Sequence, residues 1–429
     1  MRRRALPLAL AALSAAAQAP VLQDGAEALR RARLDWVAGD APLGPSSLPS
    51  LEVGWGGAES GGAYAPLLGG EGLGHGTRGW GLGLQGHYAS GGWTFDATAL
   101  ALRDRGTTVG VLQRAGLAYQ GDSGWRAALE QAPFAWGPGP VGGELLGDAA
   151  RSFSRLSLAT PEATVSGSRW RTEAFAGWLE RDRPIPDWMP DRAARLDAQA
   201  AGRDLHHPLL WGGLLRAGFG PHLEVGLGAA TLEGGQNAQG QPAPASAART
   251  QTLADLRVRF PALARLLRAR GAAVVLSREA APDTRTLALA PARERMGLQL
   301  VWEGWDLGLE IAGAAPREAF DAAQPAYLAG FSSRGDALGP AFGRTTATRT
   351  VDLGLPLFLE GRGRLRLARV TAALDDPSGP GAWFAQLEAQ WRTPTGRLGA
   401  ALASRRDEFP AAEVRWGWAC SVFQAFRVF

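Results

Sequence analysis

The sequence predicts an all-β fold, an antiparallel transmembrane β-barrel of about 16–20 strands preceded by a short N-terminal helical segment. Three observations predict it. The chain begins with the pattern of an export signal, it ends on an aromatic residue after a strand-like segment, and segments of alternating apolar and polar residues recur between the two ends. We therefore expect a protein of the bacterial outer membrane.

The first residues have the three parts of a cleaved secretory signal. Residues 2–4 are all Arg, and residues 5–13 form an apolar run that is too short to span a bilayer. Two small-x-small patterns then allow cleavage after Ala17 or after Ala19. We favour Ala17, because the other cut would leave Pro20 beside the scissile bond.

The predicted signal peptide over 1–17 is followed by two regions, a helical and loop segment over 18–50 and the barrel over 51–429. Residues 24–36 are rich in good helix formers, and the aspartate at their start can cap a helix. Residues 39–49 are rich in Pro, Gly and Ser and are predicted to be a loop. A helix this short needs a larger surface to dock on.

The barrel prediction depends on segments of period two, which are typical of strands with two unlike faces. The most informative segment has Trp383 and Trp391 at the two ends of one apolar face, while Gln386, Glu388 and Gln390 lie on the other. A lipid-facing strand with aromatic girdles at both interfaces has this pattern. A soluble β-sandwich would alternate too, but the export signal, the 16 Trp and the terminal Phe favour the barrel. Further alternating segments lie at residues 80–85, 93–98, 255–260, 351–357 and 364–367.

The length of the barrel region sets the number of strands. About 370 residues at roughly 20 per strand and loop correspond to about 16–20 strands, and the number should be even. A barrel of that width leaves a lumen unless something fills it. Longer loops are predicted over 234–248 and 282–285, with a helical turn over 265–270.

Composition and motifs argue against several function classes. All 45 basic residues are Arg, but the net charge of +4 lacks the clustered excess typical of nucleic-acid binding. The G-x-G-x-x-G match at residues 81–86 lies inside an alternating segment with no helix after it, which argues against a dinucleotide site. The five His are not at metal-ligand spacing, and Cys420 is the single Cys. We expect no cofactor, no metal and no enzymatic activity, while a barrel enzyme built from separate strands stays an open alternative.

Four motifs occur in a fixed order along the chain. The first is QAPFAWGPGP at 131–140, continued by LLGDAAR at 145–151 and LSL at 156–158. The others are FAGWLE with the DR and IP that follow it at 175–186, HLEVGL at 222–227, and FSSRGDALG at 331–339. This ordered set resembles the Wzi-type capsule assembly proteins over about residues 24–429.

The resemblance implies an 18-stranded barrel with an N-terminal helical segment at the periplasmic side. It also implies a lectin-like role, without chemistry, in which exported polysaccharide is held on the cell surface. The chain departs from the family at residues 147–149, which are GDA where the family usually carries Asn. It also has Arg427 at a position that is often aromatic in barrel proteins.

The expected partner is a capsular or exopolysaccharide with acidic sugars. An Arg guanidinium binds carboxylates and phosphates in bidentate fashion, and a Trp ring exposed on a loop can stack on a sugar. The charge cluster at 180–183 is therefore either a solvated rim or a binding ledge. The candidate polysaccharide contacts are Trp136, Arg151, Arg181, Arg183, Trp188 and Arg334.

The alternative function is an outer-membrane porin or solute channel with an Arg-lined lumen. Arg257, Arg259, Arg364 and Arg366 would then select anions. Under either function, the other expected partners are outer-membrane lipids and the barrel insertion machinery, which reads the C-terminal strand. No nucleic acid partner is expected.

Overall fold

The computed structural model describes most of the predicted barrel and a small part of the segment before it. The described residues are 30, 33–39, 50–62, 79–104, 107–132, 136, 153–181, 192–201, 205–237, 239–244, 247–280, 292–313, 332–333, 336–337, 347–359, 361–371, 381–408 and 414–428. The predicted signal peptide and its cleavage sites lie outside these residues.

Within the described ranges, eighteen antiparallel strands form one closed sheet. The sixth strand has two collinear pieces that both pair with β7, because residues 160–162 interrupt it. The sheet closes where β1 pairs with both β2 and β18. The predicted fold class is thus confirmed. The strands are β1 Ser50–Gly62, β2 Gly79–Ser90, β3 Trp93–Asp104, β4 Thr107–Gln120, β5 Arg126–Gln131, β6 Arg155–Ala159 with Ala163–Val165, β7 Ser168–Trp178, β8 Leu209–Phe219, β9 Leu223–Glu233, β10 Arg249–Arg259, β11 Gly271–Ala280, β12 Ala292–Val301, β13 Asp306–Ala312, β14 Ala347–Pro356, β15 Arg362–Thr371, β16 Gly381–Thr393, β17 Gly396–Glu408 and β18 Val414–Arg427.

The two ends of the barrel differ in the length of their connections. At one end the strands are joined by short turns such as 91–92, 220–222 and 394–395, and both the start of β1 and the end of β18 lie there. Successive strand ends at the other end are separated by longer stretches of sequence, such as 63–78 between β1 and β2 and 179–208 between β7 and β8. Outer-membrane barrels keep short turns in the periplasm and longer loops outside the cell. We therefore assign the short-turn end to the periplasm.

The two faces of the wall follow the predicted alternation. On β16, Leu387 is 50% exposed on the outer face, whereas its neighbour Gln386 is 1% exposed on the luminal face. Phe384 is also luminal and buried, so the inner face of this strand is less polar than its alternation suggests. Exposed aromatic side chains mark both rims of the outer face. They are Tyr88, Trp93, Tyr119, Trp125, Phe219, Trp305, Phe358 and Phe426 at the short-turn rim, and Trp178, Trp211, Trp383 and Trp418 at the loop rim.

Arg in place of Leu387 is expected to destabilise the barrel by about 2–4 kcal/mol, because an Arg at the bilayer midplane loses its hydration. The matched change Leu398→Arg, three residues after the turn at 394–395, is expected to cost only about 0–1 kcal/mol, since Arg there reaches the interface. Denaturant titration of both variants in phospholipid vesicles measures the difference. Equal costs would contradict the lipid-facing orientation of β16.

Three short helices accompany the barrel in the described residues. Helix α1 covers residues 33–38, α2 covers Arg192–Ala200 between β7 and β8, and α3 covers Pro261–Leu266 between β10 and β11. The predicted helix over 24–36 agrees with α1 at its end, and α1 continues two residues further. The turn of helix predicted over 265–270 is wrong in its bounds: the helix begins at Pro261, a residue that suits the first helical position, and it ends at Leu266.

Helix α1 packs against the luminal face of the wall at the periplasmic end. Val37 is buried against Ala273 and Val301, both of which point inward. Gly271 permits this approach, because a Cβ there would lie 2.2 Å from the carbonyl oxygen of Val37. No helix in the described part of the chain is long and apolar enough to cross a membrane.

Candidate functional site

A cluster of apolar side chains fills part of the lumen toward the loop end. Leu210, Leu214 and Leu253 point inward from β8 and β10, where a water-filled barrel would carry polar residues. Residues between the strands fold onto them and exclude water. We call this cluster the loop core, and its buried members are Trp136, Phe153, Phe175, Leu179, Leu205, Leu210, Leu214, Ala230, Leu232, Ala247 and Leu253.

A charged cavity of about 450 Å³ lies beside the loop core, toward the periplasm. Trp136, Phe175 and Leu214 of the loop core bound it on one side, and Arg33 and Trp36 of α1 bound it on the other. Its volume lies within the range of about 300–1,000 Å³ that is typical of ligand pockets. Among the described lining residues the charged ones are Arg33, Arg126, Arg155, Arg171, Arg216, Arg257, Glu130, Glu173 and Glu224.

Glu130 organises one wall of the cavity. It accepts hydrogen bonds from Arg126 at 2.9 Å, from Arg155 at 3.1 Å and from the Ser157 hydroxyl at 2.7 Å. Arg155 also donates to the carbonyl oxygen of Ala132. One carboxylate thus holds two guanidinium groups in place, which leaves this wall with a net positive charge.

Arg216 and Glu224 organise the opposite wall. Arg216 donates to Glu224 at 2.8 Å, and its guanidinium lies 3.7 Å from the buried carboxylate of Asp255. Arg257 lies 3.6 Å from the same Glu224. Because the lining carries six Arg and three Glu among the described residues, an anion or an anionic sugar suits this cavity better than a cation.

Helix α1 is fastened to the wall by polar contacts as well as by packing. The guanidinium of Arg259 lies 4.3 Å from the ring centre of Trp36, and that of Arg257 lies 5.7 Å from it. Such cation–π contacts contribute about 0.5–1 kcal/mol each where exposed and more where water is excluded. Arg30, which is also helical and stands three residues before α1, forms an ion pair with Asp306 at the start of β13. The helix therefore contributes Arg33 and Trp36 to the cavity from a fixed position.

The structure describes two of the six predicted polysaccharide contacts. Trp136 is 3% exposed, and its ring meets the edge of Phe175 at a centroid distance of 5.0 Å. It is therefore not a ring exposed on an outer loop; it belongs to the loop core and borders the charged cavity. Arg181 is exposed at the loop end, where its carbonyl oxygen lies 2.8 Å from Nδ1 of His206. Arg181 follows Leu179 of the loop core by two residues. That Trp136 and Arg181 contact polysaccharide stays a prediction.

The other four predicted contacts lie outside the described residues. They are Arg151, Arg183, Trp188 and Arg334. The four Arg of the predicted anion channel are among the described residues. They do not form a ring of Arg side chains that face the lumen without partners. Arg257 and Arg259 contact Trp36, while Arg364 and Arg366 both reach the carboxylate of Asp352.

The charged cavity was not among the sequence predictions. Its lining comes from α1 and from the stretch of six consecutive strands β5 to β10, so the curvature of the barrel wall is needed to gather these groups around one space. A local signal was present, because Arg126 and Glu130, Arg155 and Ser157, and Arg171 and Glu173 each have the period-two spacing of a polar luminal face. Pairing β5 with β6 then places Arg155 beside Glu130.

Solved structures with the same architecture are known, although no protein-family model and no curated protein sequence matches the chain. Wzi of Escherichia coli has a TM-score of 0.67 at 15% identity, with 92% of this chain and 97% of that chain covered. The chain has the fold of an outer-membrane β-barrel. OccAB2 of Acinetobacter baumannii has a TM-score of 0.53 at 9% identity, covering 90% of this chain and all (100%) of its own. OpdL of Pseudomonas aeruginosa has a TM-score of 0.51 at 10% identity, with 89% of this chain and 99% of that chain covered. Wzi is described as a carbohydrate binding β-barrel involved in group 1 capsule assembly.

Proposed function

We propose that this outer-membrane barrel is a non-enzymatic carbohydrate-binding protein that holds an acidic capsular or exopolysaccharide at the cell surface. The observation that carries the proposal is the charged cavity, in which Arg outnumber Glu two to one and two Trp border the space among the described lining residues. Likeness of fold to Wzi supports the same role. Nothing in this role requires bonds to be made or broken.

The chemistry of the cavity suits a sugar that carries a carboxylate or a phosphate. Arg126 and Arg171 have side chains that are 38% and 48% exposed, so their guanidinium groups can exchange water for a ligand oxygen. Hydrogen bonds to an ionised partner are roughly twice as strong as those between neutral groups. The Glu carboxylates can accept hydrogen bonds from sugar hydroxyls.

Retention of a long polymer needs more than one weak site. In this proposal Trp136 borders the cavity and Arg181 at the loop end contributes a further contact. Arg151, Arg183, Trp188 and Arg334 are proposed to contribute others. Each contact acts on a different sugar of the same chain. Linked weak sites can raise the overall affinity by about 10²–10⁴ without any new contact.

The test is binding of the purified barrel to the host's own polysaccharide. We expect the immobilised polymer to retain the barrel, and we expect chemical reduction of the polymer's carboxylates to release it. A neutral dextran serves as the control polymer. If the immobilised host polymer retains the barrel no better than immobilised dextran does, the proposal fails.

The competing function is an anion channel, which the excess of Arg in the cavity also favours. It predicts stepwise conductance in a planar bilayer, with anions carrying most of the current. The polysaccharide proposal predicts rare or absent conductance, because α1 and the loop core both occupy luminal space. Frequent anion-selective steps without polymer binding would therefore favour the channel.

A further inference from the structure

Helix α3 lies on the outer face of the barrel, which is the face that contacts lipid. Its Ala264 packs against Ala272 of β11 and Leu300 of β12, and both strand residues point outward. They are 2% and 5% exposed, whereas Met296 on the same outward row of β12 is 54% exposed. The wall here is covered from inside by α1 and from outside by α3.

Hydrogen bonds to the barrel wall fix the position of α3. The indole N–H of Trp302 donates to the carbonyl oxygen of Leu267 at 3.1 Å. The backbone N–H of Arg270 donates to the carbonyl oxygen of Val301 at 2.7 Å, and that of Phe260 donates to the carbonyl oxygen of Ala272 at 2.8 Å. The segment is thus held at the short-turn rim, level with the aromatic side chains that mark this interface.

We call residues 260–270 the α3 segment. Its outward surface carries large apolar side chains next to Arg side chains. Leu266 is 79% exposed, and Leu267 and Phe260 are 40% and 41% exposed. Arg265 and Arg268 are exposed beside them, and neither forms an ion pair with another described residue. The segment contains no Asp or Glu, and the adjacent turn at 302–305 contains one acidic residue, Glu303.

We propose that the α3 segment binds anionic phospholipids of the periplasmic leaflet, with its Leu side chains in the acyl boundary and Arg265 and Arg268 on the headgroup phosphates. A surface with this mixture, placed on the lipid side of a barrel at the height of an interface, matches the physics of interfacial helices. Arg side chains keep their charged ends at the interface while their stems lie along apolar surface. The segment thereby fixes the depth of this side of the barrel in the membrane. This inference depends on the barrel fold and not on the polysaccharide.

The depth of Leu266 tests the proposal directly. The variant Leu266→Cys in a Cys420→Ala background is labelled with an environment-sensitive fluorophore and reconstituted in phosphatidylcholine–phosphatidylglycerol vesicles. We expect quenching by spin labels attached near the lipid headgroup and protection from aqueous iodide. Ser123→Cys, in an exposed short turn, is the aqueous control, and Met296→Cys is the control within the bilayer. If the label at 266 behaves like the one at 123, the proposal is overturned.

The preference for anionic lipid provides a second, independent readout. Basic residues near an anionic membrane surface contribute about 1 kcal/mol each, or about fivefold. In the double variant Arg265→Gln/Arg268→Gln, the ratio of the affinity for phosphatidylglycerol to the affinity for phosphatidylcholine is therefore expected to fall about tenfold or more. The variant Arg278→Gln, which changes an outward-facing Arg paired with Glu294 at the opposite rim, should leave that preference unchanged. An unchanged preference in the double variant would overturn the assignment of the two Arg to phosphate.

Discussion

The double variant Arg126→Gln/Arg171→Gln is expected to bind an acidic polysaccharide at least about tenfold more weakly than the wild-type barrel. Both side chains border the charged cavity and are partly exposed to its water. A hydrogen bond to a charged group contributes about 1.5–3 kcal/mol, and 1.4 kcal/mol corresponds to about tenfold in affinity. Exposure lowers the contribution of each Arg, so two together are needed for an effect that is clear in a binding isotherm.

A matched control separates this effect from a general loss of charge. Arg278 on the outer face is 36% exposed and pairs with Glu294 at 2.7 Å, much as Arg126 is 38% exposed and pairs with Glu130 at 2.9 Å. The variant Arg278→Gln is expected to bind the polymer as the wild-type barrel does. Wild-type affinity in the cavity double variant would show that the polymer does not use the cavity. Because the control removes one charge and the cavity variant removes two, a control loss about half as large on the free-energy scale would show that only net charge matters.

The variant Arg295→Ala is expected to lower the free energy of unfolding by about 3–5 kcal/mol. Arg295 on β12 and Glu310 on β13 form a luminal ion pair at 3.2 Å, and both side chains are about 5% exposed or less. Truncation of one partner leaves the other charge without its partner and out of contact with water. Denaturant titration in phospholipid vesicles measures the cost.

Replacing both partners of this pair is expected to restore stability. The variant Arg295→Met/Glu310→Leu removes the two charges together and keeps similar volume, so its stability should lie close to that of the wild-type barrel. If the single variant costs less than about 1 kcal/mol, the lumen at this level is hydrated and the pair is not buried. If the double variant is as unstable as the single one, the loss comes from packing and not from an isolated charge.

The strands could be predicted from the sequence because the alternation of their side chains is a local property. Trp383 and Leu387 lie on the outer face as predicted, since a strand alternates its side chains whatever its partners are. The number of strands followed from the chain length and from the resemblance. The exact luminal face was less predictable, as Phe384 shows, because a wide barrel can fill its interior with its own loops.

The site was not readable in the same way, because it depends on contacts between residues distant in sequence. Trp136 stands in a Gly- and Pro-rich stretch that predicts an exposed loop, yet β7 and β8 supply Phe175 and Leu214 to bury it. The position of α3 outside the wall likewise depends on Ala272 and Leu300, whose small exposure only the folded structure reveals. Period two identifies strands, but it does not indicate what covers each face.

The most direct measurement of the central claim is the distribution of polysaccharide between cells and medium after a clean deletion of this barrel. The account predicts that total polymer is unchanged, that most of it moves from the cell-bound fraction into the supernatant, and that the wild-type barrel restores it. The Arg126→Gln/Arg171→Gln variant should restore it only in part, at matched levels of folded protein in the outer membrane. A distribution that stays as in the parent strain would contradict the account.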